Sequence, residues 1–298
     1  MDTTDSTLSA LAASINDGKT HLLLACSVAT IKLPNIIQAF SKYPSSQLSI
    51  RVILTPSASR FLAGQADEQP PVSALREYPN VDAQYVDEDE WKTPWARGGG
   101  ILHIELRRWA DILVIAPLSA NTLAKIANGF ADSLLTSVVR AWDAWGELDT
   151  PRAPTSQNNA TATTTATATA TASRNRRPHK RRILVAPAMN TAMWRHPITA
   201  KHLRVLEEEW GVRQHPTSSV PEPLHSQPRP QLPRSESSPA ADQPPTPFQT
   251  ESHDDDGWFE VLRPQRKVLA CGDAGDGAMI EWPLIVAAIE DRLGLVVG

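Results

Sequence analysis

Ile112-Leu113-Val114-Ile115-Ala116 constrains the fold of this chain more than any other stretch. The run is apolar on every residue, so a strand built from it needs cover on both faces. That is the signature of a central strand in a parallel sheet rather than a sheet with one wet face. A second fully apolar run is Ile183–Ala186, and mostly apolar runs recur at His21–Ala25 and Ile50–Leu54, broken only by His21 and Arg51. Helical patterns lie between or after them. They cover Leu33–Phe40, with Pro34 tolerated in the first turn, Ile104–Trp109, and a pair of helices around Asn128-Gly129 carrying Leu123, Ile126, Leu134, Leu135, Val138 and Val139. A further helix sets Leu203, Val205, Leu206 and Trp210 against Glu207–Glu209, and a closing one spans Pro283–Leu293. Short strands are expected at Phe259–Leu262 and Lys267–Leu269. Residues 63–100, with Pro70, Pro71, Pro79, Pro94 and Gly98–Gly100, are expected to be irregular. Alternation of this kind predicts an α/β, three-layer, Rossmann-like open parallel sheet in a single domain.

Two stretches interrupt the pattern. Residues 151–180 hold a Thr/Ala tract, and residues 215–257 are crowded with Pro, Ser, Gln and Asp. Neither has apolar periodicity, so both are expected to be disordered inserts. The domain is then expected from 20–150, 181–214 and 258–298, behind a flexible N-terminus at 1–19. What remains is roughly 220 residues, the scale of one α/β domain. The net charge of −4 gives no electrostatic case for nucleic acid or a membrane surface. The basic run Arg174–Arg182 reads as a solvated linker end. Two cysteines, Cys26 and Cys271, exclude a disulfide framework and suit a reducing compartment. The polar, acidic N-terminus is no secretory signal, and no apolar run approaches bilayer length, so a cytoplasmic protein is expected.

Small hydroxyl residues stand at three strand ends: Cys26-Ser27-Val28 after the first, Thr55-Pro56-Ser57 after the second, and Ser119-Ala120-Asn121-Thr122 after the central one. Each could be an ordinary helix cap. Three on one edge of a parallel sheet point to a phosphate-bearing ligand held by backbone N–H groups at helix N-termini. No Gly-x-Gly-x-x-Gly follows the first strand and no P-loop occurs, so a mononucleotide such as FMN fits better than a dinucleotide. Three more residues have both a bland and a chemical reading. His103, after a glycine run, is a cap or surface residue or an acid/base group. Asn190, in Pro-Ala-Met-Asn, is an N-cap or an amide that fixes a substrate carboxylate. Cys271, in Ala-Cys-Gly-Asp-Ala-Gly-Asp-Gly, is an incidental thiol in a tight turn or a proton donor on a glycine-rich mobile flap. The spacing of Asp273 and Asp276 fits no calcium loop, and zinc lacks ligands at the right spacing. A Ser-His-Asp hydrolase lacks its Gly-x-Ser-x-Gly elbow. Among the nine tryptophans, Trp91 and Trp95 are placed to line a pocket or a subunit contact.

Taken together, Cys26–Ala29, the Leu-His-Ile-Glu-Leu around His103, Asp111 through Asp143, Pro187–Trp194 and Leu269–Glu281 resemble the flavin-dependent cysteine decarboxylases, in their halotolerance-protein-like branch. The resemblance implies a flavodoxin-like sheet, bound FMN and a trimer with sites between subunits, either a homotrimer or a heterotrimer with a paralogue. By position it implies FMN contacts from Cys26, Ser27, Val28, Thr55, Ser57, Ser119, Ala120, Asn121, Thr122 and Ala188. His103 and Cys271 would be catalytic, and Asn190, Val268, Leu269 and Ala270 would bind a small-molecule substrate. Cys26 stands where the family usually has glycine. The implied reaction converts 4′-phosphopantothenoylcysteine to 4′-phosphopantetheine in coenzyme A biosynthesis. Oxidation of the cysteinyl thiol to a thioaldehyde places the carboxylate β to C=S, so loss of CO2 leaves a delocalised ene-thiolate. Hydride return and a proton from Cys271 complete the cycle. Two other roles are compatible with the resemblance: an inhibitory regulatory subunit of a Ser/Thr protein phosphatase, and a peptidyl-cysteine decarboxylase. His103, Asn190 and Cys271 occur together here, and the chain ends at Gly298 without a long acidic tail, which favours the enzyme.

Overall fold

The computed structural model describes residues 3–92, 94–148, 180–212, 257–268 and 274–297. Contacts divide the chain into two compact units, Met1–Val212 with Gly257–Gly298, and Arg213–Asp256. The second of these lies outside the described residues.

The first unit is built on six parallel strands: β1 (Thr20–Cys26), β2 (Leu48–Leu54), β3 (Val81–Tyr85), β4 (Ile112–Leu118), β5 (Arg182–Pro187) and β6 (Phe259–Val261). Their spatial order is β3-β2-β1-β4-β5-β6. Side-chain alternation sorts the apolar runs onto two faces. Leu23, Ala25, Leu113, Ile115, Ile183 and Val185 enter one core cluster. Leu22, Leu24, Ile112, Val114, Leu184 and Ala186 enter the other. The helices α1 (Thr3–Ala13), α4 (Leu102–Trp109), α5 (Ala120–Ala127), α6 (Leu134–Arg140) and α8 (Pro197–Arg204) contribute to the first cluster. α2 (Leu33–Ala39), α3 (Pro56–Arg60) and α9 (Trp282–Leu293) contribute to the second, and the short α7 (Thr191–Arg195) precedes α8. The three-layer open sheet expected from the alternation is therefore present. Gly129 takes a φ of +73° just past α5, a left-handed turn that glycine makes without strain.

Three expectations are corrected. Residues 1–19 are not simply a flexible lead, because α1 buries Leu11 completely against the first core cluster. The stretch 63–100 contains the edge strand β3, whose sequence Val-Asp-Ala-Gln-Tyr is too polar to announce itself. Its register with β2 runs from Ile50↔Val81 to Ile53↔Tyr85. Half of the glycine-rich flap is a strand: β8 (Ala274–Ala278) pairs antiparallel with β7 (Gln265–Val268) in a separate hairpin. Leu269, Ala270 and Cys271, between β7 and β8 in sequence, lie outside the described residues. Among the described residues no helix is long and apolar enough to cross a membrane.

Candidate active site

The sheet order reverses at β1, which pairs with β2 on one side and β4 on the other. In an open α/β sheet the crevice at the carboxyl ends of such strands is where ligands bind. Ser27 closes that crevice at its base. Its N–H and its hydroxyl both donate to the Pro117 carbonyl at 3.1 Å, and its Oγ accepts from the Ser119 N–H at 2.8 Å. The neighbouring turns are tied to the same edge. The Thr55 N–H donates to the Cys26 carbonyl at 3.2 Å, and the Ala188 N–H to the Leu118 carbonyl at 2.9 Å.

The hydroxyls at these turns act as caps. Thr55 Oγ1 accepts from the Ala58 N–H, and Ser119 Oγ accepts from the Thr122 N–H, at the starts of α3 and α5. The N–H groups of Val28, Ala29, Ser57, Ala120 and Asn121 have no hydrogen-bond acceptor among the described residues. They are donors open to an anion at the crevice mouth. Ala29 has φ +27°, an uncommon conformation for a residue with a Cβ. Small hydroxyls and open amides fit the phosphate of a mononucleotide. Cys26 does not crowd them: its side chain is fully buried, and Sγ donates to the Ala116 carbonyl at 2.9 Å. Burial pushes its thiol well above the ordinary cysteine range, so it packs as a core residue.

Asn190 follows β5 and is exposed, with Oδ1 accepting from the Met193 N–H at 2.8 Å as the N-cap of α7. The cap occupies the carbonyl oxygen only, which leaves the amide NH2 for a ligand. The β7–β8 hairpin sits beside it. The Met189 N–H donates to the Gly277 carbonyl at 2.9 Å, and Arg195 Nη2 reaches Asp276 Oδ2 at 2.6 Å. That hydrogen bond from Arg195 holds the Asp276 carboxyl below the usual range. The β8 limb of the hairpin is thus fastened next to Asn190. Gly277 is needed for this approach, since a Cβ there would lie 2.3 Å from the Met189 carbonyl oxygen. Gly277→Ala is expected to cost about 1–3 kcal/mol through overpacking, read as a lower urea midpoint than that of the unaltered protein. An unchanged midpoint would show that the hairpin shifts freely.

His103 lies in the first turn of α4, and its Nδ1 is 2.8 Å from Glu90 Oε1. It lines a cavity of about 470 Å³ with Glu90, Trp91, Ser133, Arg140 and others. Asp87, also at the wall, accepts from the Leu134 N–H at the start of α6, and burial raises its carboxyl above the ordinary range. None of the crevice residues lines this cavity. The fold joins the strand-end turns at Ser27, Ser119 and Ala188 and keeps His103 apart. Trp91 lines the cavity while 66% exposed, whereas Trp95 is exposed outside it. Sequence reading passed over Glu90 and Asp87. The run Asp87-Glu88-Asp89-Glu90 looks like a solvated charged stretch, and Trp91 was its only cue to a pocket.

The family model described as Flavoprotein matches residues 11–225. A probable phosphopantothenoylcysteine decarboxylase of Arabidopsis thaliana is 32% identical over 91% of this chain and 88% of its own length. A protein of Schizosaccharomyces pombe named probable thymidylate synthase is 34% identical over 94% of this chain, which spans only 30% of that protein. Among solved structures, a cysteine-to-serine variant of a PPC decarboxylase complexed with pantothenoylaminoethenethiol aligns with a TM-score of 0.56 and 31% identity. The alignment covers 93% of this chain and 100% of that one. The FMN binding protein AtHal3 aligns with a TM-score of 0.53 and 32% identity, over 91% of this chain and 95% of that one. With the family model matched across most of the sheet, and a relative aligned over nearly its whole length, this chain belongs to the flavoprotein family.

Proposed function

We propose that this chain catalyses the FMN-dependent decarboxylation of 4′-phosphopantothenoylcysteine to 4′-phosphopantetheine, a carboxy-lyase step of coenzyme A biosynthesis. The observation that carries this reading is the set of open amides at the ends of β1, β2 and β4, on the strand edge to which the Ala188 N–H ties the turn that leads to Asn190. Bound FMN would supply a reversible two-electron sink for the substrate's thiol-bearing carbon.

The chain's own residues supply position and protons. The amides of Val28, Ala29, Ser57, Ala120 and Asn121, with the Ser27, Thr55, Ser119 and Thr122 side chains and Ala188 at the rim, hold the cofactor. The Asn190 NH2 donates to the substrate carboxylate. Val268, Leu269 and Ala270 are assigned to substrate binding, and Cys271 to delivery of the final proton. His103 assists thiol deprotonation or orients the carboxylate. In one protomer its cavity is separate from the crevice, which supports a trimer, homomeric or mixed with a paralogue, whose sites form between subunits.

The test is direct. The purified protein should be yellow and should release CO2 from phosphopantothenoylcysteine. A colourless protein that stays inactive after FMN is added overturns the reading and favours an inhibitory partner of a Ser/Thr phosphatase. A cytoplasmic location is part of the same proposal.

Residues 151–180 and 215–257 are proposed to be inserts that the reaction does not need. The frame around them supports this. The Trp258 N–H donates to the Trp210 carbonyl at 2.9 Å and the Val212 N–H to the Phe259 carbonyl at 2.8 Å, so the two ends of the second stretch are already neighbours. At the first, Lys180 Nζ lies 5.4 Å from the Trp145 ring centre, and Trp142 Nε1 donates to the Arg181 carbonyl. Replacing 155–178 and 218–255 with short Gly/Ser loops should leave kcat and the oligomer unchanged, because shortening a loop costs little entropy. Size-exclusion chromatography and the CO2 assay check this, and loss of the oligomer would refute it.

A further inference from the structure

We propose that Glu90 is the positioning residue for His103, fixing which ring nitrogen faces the reaction; this rests on the decarboxylase reading above. The acidic run that contains it is not a solvated face. Asp87 Oδ1 accepts from the Leu134 N–H at 3.0 Å and Asp89 Oδ2 from the Val86 N–H at 2.9 Å, which anchors the turn on both sides. Of the four acidic residues, Glu88 alone is exposed. Glu90 points inward, with its side chain only 5% exposed, and meets His103 Nδ1 at 2.8 Å. Its second oxygen, Oε2, is buried with no donor among the described residues.

This arrangement is poorly explained by stability. A buried carboxylate with one oxygen unpaired costs the fold more than an apolar or amide side chain of similar volume. It is well explained by orientation. An ionised carboxylate can only accept, so the proton on Nδ1 follows from its partner, and the free valence of the ring moves to Nε2. Nε2 has no hydrogen-bond partner among the described residues, while His103 lines the cavity. The other charged groups at that wall are Asp87, Asp132 and Arg140. Of the carboxylates there, Glu90 is the one hydrogen-bonded to the imidazole. Without it the ring could rotate or take the other tautomer, and Nε2 would no longer be held toward the substrate.

The test uses the full-length protein loaded with FMN. Glu90→Gln is nearly isosteric, but its amide can donate to Nδ1 and so permits the wrong tautomer. It should lower kcat for CO2 release about 10- to 100-fold, with KM nearly unchanged. Flavin content should stay the same, and the thermal midpoint should be equal or higher. Glu90→Asp, which keeps the charge, should recover part of the loss. Added to His103→Asn, Glu90→Gln should cost nothing further, because a group that acts through another has no effect once that other is gone. Two-bond 15N–1H spectra of histidine-labelled protein should show His103 protonated at Nδ1, with a mixture of tautomers in Glu90→Gln. Unchanged kcat in Glu90→Gln, or multiplicative losses in the double variant, overturns the proposal. If the unaltered protein releases no CO2, the decarboxylase reading fails, and the spectra still decide whether Glu90 sets the ring.

Discussion

A Cys271→Ser variant should release about one CO2 per site at close to the normal rate and then stop, forming almost no 4′-phosphopantetheine. Decarboxylation leaves an ene-thiolate that needs both a hydride and a proton. A thiol with an ordinary pKa of about 8.5 can deliver that proton near neutrality, and a serine hydroxyl is a far weaker acid. The substitution changes one atom, so binding and the first half-reaction should survive while the saturating step stalls. The unsaturated thiol should accumulate to about one equivalent per site, read by mass spectrometry alongside CO2 release. Normal turnover from this variant would remove Cys271 from the proton-donor role.

His103→Asn should act earlier in the reaction. Loss of a positioned acid/base group typically costs about 10²–10⁴-fold in rate, and here the loss should fall on CO2 release itself. Asparagine keeps a hydrogen-bonding side chain of comparable size, so the Glu90 carboxylate is not left wholly without a donor. His103 is not among the residues proposed to hold the cofactor, so the visible flavin spectrum and the FMN content should match those of the unaltered protein. A variant that loses FMN in parallel with activity would place His103 in cofactor binding instead. Stopped-flow traces of flavin absorbance would separate slow substrate oxidation from slow release of CO2.

The sheet was legible because its strands carry both faces in their composition. Ile112–Ala116 and Ile183–Ala186 are apolar throughout, and the fold indeed splits them residue by residue between two cores. Edge elements carry less signal. In β3, Asp82 is exposed and Ala83 and Gln84 are half-buried, so nothing in the strand alternates cleanly. The helix α1 has only a weak apolar stripe and docks largely through Leu11. The strand-end turns were legible because chain order alone places them on one edge of a parallel sheet. Asn190 shows its capping reading, and its amide NH2 remains available. Glu90 was not legible. An acidic run has the same sequence signature whether it faces water or a histidine, and only the fold brings residues 90 and 103 together. Cys26 shows the reverse case, where the sequence places a side chain near the ligand and packing turns it into the core.

Ser27 joins the two strands that border the crevice through three hydrogen bonds made by one small residue. A gap riveted in this way cannot breathe with its occupant. The mould exists before anything is poured into it, and emptying it releases no strand. Cofactor exchange should therefore leave the fold standing. Protein stripped of its colour should regain it on simple mixing, at a rate set by diffusion and fit rather than by refolding, and the same molecule could serve through many rounds of loss and reloading.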